Sequence, residues 1–368
     1  MKVKELDTPT LLIDKDILTD NLKRMASYAE REQVKLRPHT KTHKMPAIAH
    51  MQTEMGAVGI AVAKTGEAEV MAAAGIRDIF IANEVVGKIK LERIAALAEK
   101  CTISFGIDSV YNICEAEAVF REKNQTARVL IEVEVGEKRC GVDSDEACQT
   151  LLAELKKCEY VKLLGFFGHD GNSYNVEDLK ACEKVSEGAQ KRLIHFAELA
   201  EREGFDIEVV SYGSTPPLVH QVKIEKGITE IRPGTYALMD VSQGRAQGTL
   251  AMCAATVLAS VLSKPTPERV ILDVGAKGLT MQERTQGICC SHGKGVIKGF
   301  QDVNIQRVFD EHAIIENKGF HDAVSLGDKV EIIPVHVCPV CNLYDKAFLV
   351  SKGEVLDTLE IAGRGKLQ

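Results

Sequence analysis

Eight short apolar, β-branched runs, each followed by a polar helical stretch, fill the first two-thirds of the chain and limit the folds open to it. They occupy residues 35–39, 58–63, 78–83, 102–108, 128–135, 161–169, 206–213 and 229–236. Between them, segments such as GEAEVMAAAG, KIKLERIAALAEK, DEACQTLLAELKKC and KRLIHFAELAEREG carry apolar residues at spacings of three and four, the period of an amphipathic helix. Strands that are apolar along their whole length are buried on both faces, as in a parallel sheet covered by helices. Strand and helix alternating in this way over about 200 residues predict a closed (β/α)8 barrel of the TIM type. An open doubly wound sheet is the alternative, but it would normally show a Gly-rich fingerprint after its first strand, and none is present.

After about residue 245 the texture changes. CAATVLASVLS, RVILDVGAKGLT, KGVIKGF, DKVEIIPVHVC and AFLVSKGEVLDTLEIAG read as strands divided by Gly, Pro and Asp turns, with little helix between them. The expected organisation is a barrel domain over residues 1–245 and an all-β domain over residues 246–368. A length of 368 residues agrees, because single cores stop growing at roughly 250–300 residues.

Charge narrows the function classes. With 46 Lys+Arg against 53 Asp+Glu, the net charge of −7 supplies no basic footprint for nucleic acid or an anionic membrane. The start MKVKELDTPT lacks the apolar core of a signal peptide, and the weakly polar run 250–263 is shorter than the ~18–20 residues of a membrane helix. Eleven scattered cysteines without an export signal indicate reduced thiols, and a cytoplasmic enzyme is the expectation.

Barrel active sites gather at the C-terminal ends of the strands. There the sequence places Lys41 and Lys44 after the first run, Glu134 and Arg139 after the fifth, and His169 and Tyr174 after the sixth. Gly213, Ser214 and Thr215 follow the seventh, and Arg232, Gly234 and Thr235 the eighth. Loops after strands seven and eight of such barrels frequently bind phosphate, and glycines with neighbouring hydroxyls and amides can form an anion nest. A turn plus a helix cap would use the same residue types. A phosphate site opposite a strand-end lysine suggests pyridoxal phosphate, whose aldehyde needs an amine for its Schiff base; Lys41 is the candidate and Lys44 its competitor.

The run VHVCPVC offers a second constellation. If it continues a strand, His336 and Cys338 share a face and can ligate one ion as imidazole and thiolate, with open positions for water or substrate. Its rivals are a redox pair of Cys338 and Cys341, which should open a helix, and a zinc ribbon, which needs a second CxxC that Cys289-Cys290 does not supply.

Taken together, LRPHTKTHK, GHDGNSY, YGSTPP, EIRPGTYALMD, DVGAKGLT, DEHAII and PVHVCPVCNLYD resemble the D-threonine aldolase and D-serine dehydratase family, within the alanine-racemase-like pyridoxal phosphate enzymes. The resemblance spans nearly the whole chain. It implies that Lys41 carries the Schiff base, that Gly213, Ser214, Thr215, Gly234 and Thr235 hold the phosphate, and that Arg232 faces the pyridine nitrogen. It places His169, Tyr174 and Arg139 around cofactor or substrate, with the role of Glu134 open. It also implies a divalent metal, Zn or Mn, on His336 and Cys338, a small amino-acid substrate, and a homodimer.

The implied activity is metal-assisted cleavage of D-3-hydroxy amino acids to glycine and an aldehyde. The alternative is β-elimination, as in a D-serine or D-3-hydroxyaspartate dehydratase, towards which a cysteine as second metal ligand leans in this family. An amino-acid racemase working without metal is a second alternative. A non-catalytic cofactor carrier of the small-barrel kind would lack residues 250–368.

Overall fold

The computed structural model describes residues 1–368, Gln301 by its backbone alone. After a first strand, β1 (Thr10–Asp14), all eight apolar runs form strands: β2 (Lys35–Leu36), β3 (Ile60–Val62), β4 (Asp78–Glu84), β5 (Thr102–Ile107), β6 (Ala127–Glu132), β7 (Val161–Gly168), β8 (Val209–Tyr212) and β9 (Glu230–Ile231). They pair in parallel in the order β2-β9-β8-β7-β6-β5-β4-β3. The ring closes where His39 bridges Ala61 and the Ala61 amide donates to the Pro38 carbonyl at 2.8 Å.

β2 and β9 are short because Pro38 and Pro233 have no N–H to continue the ladder. The two segments nonetheless stay side by side, with the His39 amide donating to the Pro233 carbonyl at 2.9 Å. Both strand ends therefore turn together into the loops that carry Lys41 and Gly234.

The covering helices follow the periodicity. Lys15–Arg31 is N-capped by Asp14, which accepts from the amides of Asp16 and Ile17, and it buries Leu18, Leu22, Met25 and Tyr28. Leu179–Arg202 is capped by Asp178 and buries Leu193, Phe196 and Ala200. Inside the barrel a separate small core forms from Ala61, Phe80, Leu130, Leu164 and Phe167. Phe80 and Phe167 meet edge to face at 5.0 Å, and the Arg232 guanidinium lies 5.8 and 5.3 Å from their ring centres, so this plug seats the arginine beneath the C-terminal mouth.

A ten-stranded, mostly antiparallel sheet makes up the second region. β1 belongs to this sheet and not to the barrel, although it lies within residues 1–245. It pairs antiparallel with β10 (Ala255–Ser263) and parallel with Lys346–Ser351. The reason is burial of both faces: Leu11 and Ile13 enter the main core, while Leu12 packs with Leu258 and Val350 on the other side. Among the described residues no helix is long and apolar enough to cross a membrane, and the eleven cysteines are free thiols.

Candidate active site

A cavity of about 270 Å³ opens at the C-terminal mouth of the barrel, where the second region closes over it. Lys41, His169, Tyr174, Gly213, Ser214, Thr215, Arg232, Gly234, Thr235, His336 and Cys338 all line it. Arg139 does so too, whereas Glu134 and Lys44 do not. The Glu134 carboxylate accepts from the amides of Gly136 and Lys138 at 2.6 and 2.8 Å and so shapes its own loop.

Lys41 sits on the tight turn Thr40–Thr42, N-capped by the His39 ring. Burial lowers the pKa of its amine below the ordinary lysine value, with lesser influences of both signs from Cys338, Arg139 and Glu137. A desolvated amine of this kind is a better nucleophile than a solvated ammonium. Lys44 is committed elsewhere, its Nζ donating at 2.7 Å to the buried carboxylate of Glu67.

The loops after β8 and β9 approach each other closely. Gly213 has φ +155°, and a Cβ there would lie 2.9 Å from the Arg232 amide nitrogen and 3.1 Å from Leu218. Thr215 Oγ1 accepts from the amides of Gly234 and Thr235 at 3.3 and 3.1 Å, tying the two loops into one cradle. Ser214 and Ser173 hydroxyls meet at 3.0 Å on its far side.

Arg232 donates through Nη2 to the Gly168 carbonyl at 2.9 Å, while its buried Nη1 has no partner among the described residues. Burial pulls its pKa down to about 10, which leaves it charged at neutral pH. An orphaned buried donor is costly unless a ligand completes it, and a ring nitrogen that accepts is a fitting complement. The Lys41 amine, the Gly213–Thr215 and Gly234–Thr235 cradle and Arg232 Nη1 together fit an aldehyde, a phosphate and a pyridine nitrogen on one flat molecule.

His169 contacts the Gly213 carbonyl through Nδ1 at 2.9 Å. Since a carbonyl only accepts, Nδ1 carries the proton and Nε2 is left bare. Burial, with the nearby Lys41 charge, pushes the ring down to about 3, so it is neutral across physiological pH.

His336 and Cys338 reach the cavity by a different local structure from the strand expected. The strand Lys329–Pro334 ends first, and His336 is the N-cap residue of a short helix, Val337–Cys341. The buried Asp240 carboxylate accepts from the Val337 amide at 3.0 Å and starts that helix, which is a long-range contact that strand alternation cannot reveal. His336 Nδ1 faces the Gln282 side-chain oxygen at 2.8 Å, so Nε2 carries the free lone pair, and burial holds the ring at about 4. Cys338 Sγ lies 3.3 Å from Thr42 Oγ1 and 3.6 Å from Thr235 Oγ1. A neutral imidazole and a thiol beside open space are a donor set suited to zinc or another divalent ion. The CxxC does open a helix, the setting expected of a redox pair, but Cys341 is fully buried and burial raises its pKa, the reverse of an activated thiol.

Of the acidic and basic side chains that line the cavity, Glu137 and Arg284 were not singled out from the sequence. Glu137 follows the fifth run within GEKRCG, and its carboxylate stands where a Cβ on Gly171 would lie, so a larger residue at 171 would push that flexible carboxylate aside. Arg284 comes from a β-domain loop that no barrel rule addresses. Behind Arg139, Glu84, Glu132 and Cys140 bring ligand atoms within 4.8 Å of one another. Burial and the Glu132 carboxylate push Glu84 up to about 8, and burial first of all pushes Cys140 up to about 12, so the cluster keeps protons and anchors Arg139 through Glu132 at 3.2 Å.

Comparisons with known proteins bear on this site. The family described as Alanine racemase, N-terminal domain, matches residues 13–241, and the one described as "Putative serine dehydratase domain" matches residues 254–350. The chain is 34% identical to D-threonine aldolase of Arthrobacter sp over 98% of its own length and 93% of that protein. It is 29% identical to D-threo-3-hydroxyaspartate dehydratase of Delftia sp., covering 90% of this chain and 91% of that protein. The crystal structure of D-threonine aldolase from Filomicrobium marinum superposes with a TM-score of 0.90 at 30% identity, covering 99% of this chain and 98% of that one. A cysteine-to-alanine mutant of a D-threo-3-hydroxyaspartate dehydratase in the metal-free form superposes with a TM-score of 0.89 at 27% identity, covering 98% of each chain.

Proposed function

The chain belongs to the alanine-racemase-like family of pyridoxal phosphate lyases that includes the D-threonine aldolases, and on that premise we propose that it is a metal-dependent lyase of D-3-hydroxy amino acids, cleaving them to glycine and an aldehyde. The observation that carries this reading is that His336 and Cys338 face the same cavity as Lys41, with the Cys338 thiol in contact with the residue next to that lysine.

Bound pyridoxal phosphate supplies an aldehyde that takes up the substrate amine and a ring that accepts the electron pair of the broken Cα–Cβ bond. Lys41 Nζ is the amine that would hold the cofactor aldehyde and could yield it to a substrate amine. The cradle of Gly213, Ser214, Thr215, Gly234 and Thr235 binds phosphate through amides and hydroxyls held in place before binding. Arg232, charged at neutral pH, would face the pyridine nitrogen and oppose its protonation. His336 Nε2 and Cys338 Sγ would hold a divalent ion, whose Lewis acidity lowers the pKa of the substrate β-hydroxyl. His169 Nε2, bare and neutral, is an acceptor for that hydroxyl proton.

A dehydratase is the second reading, favoured by the residue that would be the second metal donor being a cysteine, Cys338, which lines the cavity with His336. A racemase would need no metal. The proposal includes a division of labour, cofactor on residues 1–245 and metal on residues 246–368, and a cytoplasmic homodimer. Incubating the holoenzyme with D-threonine and D-serine, with glycine, aldehyde, ammonia and 2-oxo acid all assayed, separates the readings. Glycine plus acetaldehyde from D-threonine supports the aldolase, and ammonia plus 2-oxo acid supports the dehydratase instead.

A further inference from the structure

Four cations line the cavity: Lys41, Arg139, Arg232 and Arg284. Three are already engaged. Lys41 and Arg232 are assigned to the cofactor above, and Arg139 forms ion pairs with Glu132 at 3.2 Å and Glu137 at 3.3 Å. Arg284 differs. Its guanidinium lies 4.7 Å from the centre of the Tyr174 ring, and among the described residues its buried Nε has no partner and its side chain meets no carboxylate. A partly buried guanidinium pays for its desolvation only when an anion completes it.

The anionic side chain in the cavity is Glu137. Its Oε2, 3.9 Å from His169 Nε2, is buried without a hydrogen bond among the described residues. Every amino-acid substrate brings one carboxylate on Cα, which needs a cation. A substrate such as 3-hydroxyaspartate brings a second on the β-carbon.

We propose that Arg284 receives the substrate α-carboxylate and that, with no cation left over and Glu137 in the cavity, the enzyme selects D-3-hydroxy amino acids with uncharged β-substituents over 3-hydroxyaspartate. The selectivity half rests on the lyase reading given above; the carboxylate half does not. The anion on Arg284 has one competing source, the cofactor phosphate. The carboxylate is favoured because Arg284 stands on the β-domain loop whose Gln282 holds His336, the side where a β-hydroxyl would meet the metal.

D-Alanine has an α-carboxylate and no β-hydroxyl, so its binding to the holoenzyme, followed by the change in the cofactor's visible absorbance, reads the anchor apart from cleavage. Losing a charge-assisted hydrogen-bond pair should weaken D-alanine binding roughly 10–100-fold in R284Q, with R284K between the two and cofactor content unchanged in both. Unaltered D-alanine affinity in R284Q and R284K overturns the anchor, as does loss of bound cofactor in their place, which would assign Arg284 to the phosphate. For selectivity, kcat/KM for D-threonine should exceed that for D-3-hydroxyaspartate, and E137Q should narrow the ratio about tenfold by raising the latter. Equal use of both substrates by the wild type, or a ratio that E137Q does not move, overturns the selectivity. If no hydroxy amino acid is cleaved while D-alanine binding still depends on Arg284, the lyase reading falls and the anchor stands.

Discussion

The Sγ of Cys338 lies 3.3 Å from Oγ1 of Thr42, so a thiol from the β domain touches the residue adjoining the lysine of the barrel. Two segments almost three hundred residues apart thereby share one site, the first fit for an aldehyde and the second for a metal. Neither would be complete in its own region.

Reduction of the holoenzyme with borohydride, which traps the lysine–cofactor linkage as a stable amine, should leave the label on Lys41 in peptide mapping. Lys44 is held by the buried Glu67 carboxylate at 2.7 Å and lies outside the cavity. A label on Lys44 would show that the turn Thr40–Thr42 is misassigned.

Cofactor retention should depend on Gly213 more than on its neighbours. Its φ of +155° strains any other residue, and a Cβ would press on the Arg232 backbone at 2.9 Å. With strain of about 1–3 kcal/mol, Gly213→Ala should raise the dissociation constant for pyridoxal phosphate roughly 5- to 150-fold. Gly234→Val should act in the same direction, since its Cβ would meet Thr42 Oγ1 at 3.1 Å. Full cofactor content in both variants at limiting pyridoxal phosphate would move the phosphate site elsewhere.

Acid should destabilise the fold well above the carboxylate range. His43 is fully buried, accepts from the Met45 amide at 3.0 Å, and is pushed down to about 4, chiefly by burial. The unfolded chain takes up that proton near pH 6.5. Above that pH both states are neutral and the contribution is whole; as pH falls from about 6.5 to about 4, only the unfolded state gains the proton and stability declines by up to about 1.4 kcal/mol per pH unit for this one group. His169 adds to the same slope. Melting temperatures of wild type and His43→Asn between pH 4.5 and 7.5 check this: the variant, less stable at pH 7, should show the shallower acid slope. Parallel slopes would mean that His43 does not titrate as its burial requires.

What could be read from the chain alone follows from where the forces are local. The eight barrel strands were legible because burial on both faces leaves continuous apolar runs, and the strand-end residues from Lys41 to Thr235 followed from barrel geometry. β1 was missed because TLLID reads as a strand without saying which sheet will cover its two faces. The helix at Val337–Cys341 was missed because the carboxylate that starts it, Asp240, lies far away in sequence. Arg284 was missed for a related reason: an unpaired cation is visible only once its surroundings are known.

A metal on His336 and Cys338 would act on the substrate while the barrel holds the cofactor independently. The direct measurement is the rate of acetaldehyde release from D-threonine by holoenzyme treated with chelator, beside the visible absorbance of the lysine-bound cofactor, repeated after Zn or Mn is restored and again with His336→Ala. Chelation and His336→Ala should each abolish release while the absorbance persists, and added metal should restore the chelated wild type but not the variant. Acetaldehyde release at the full rate in the metal-free enzyme would contradict that role of the metal.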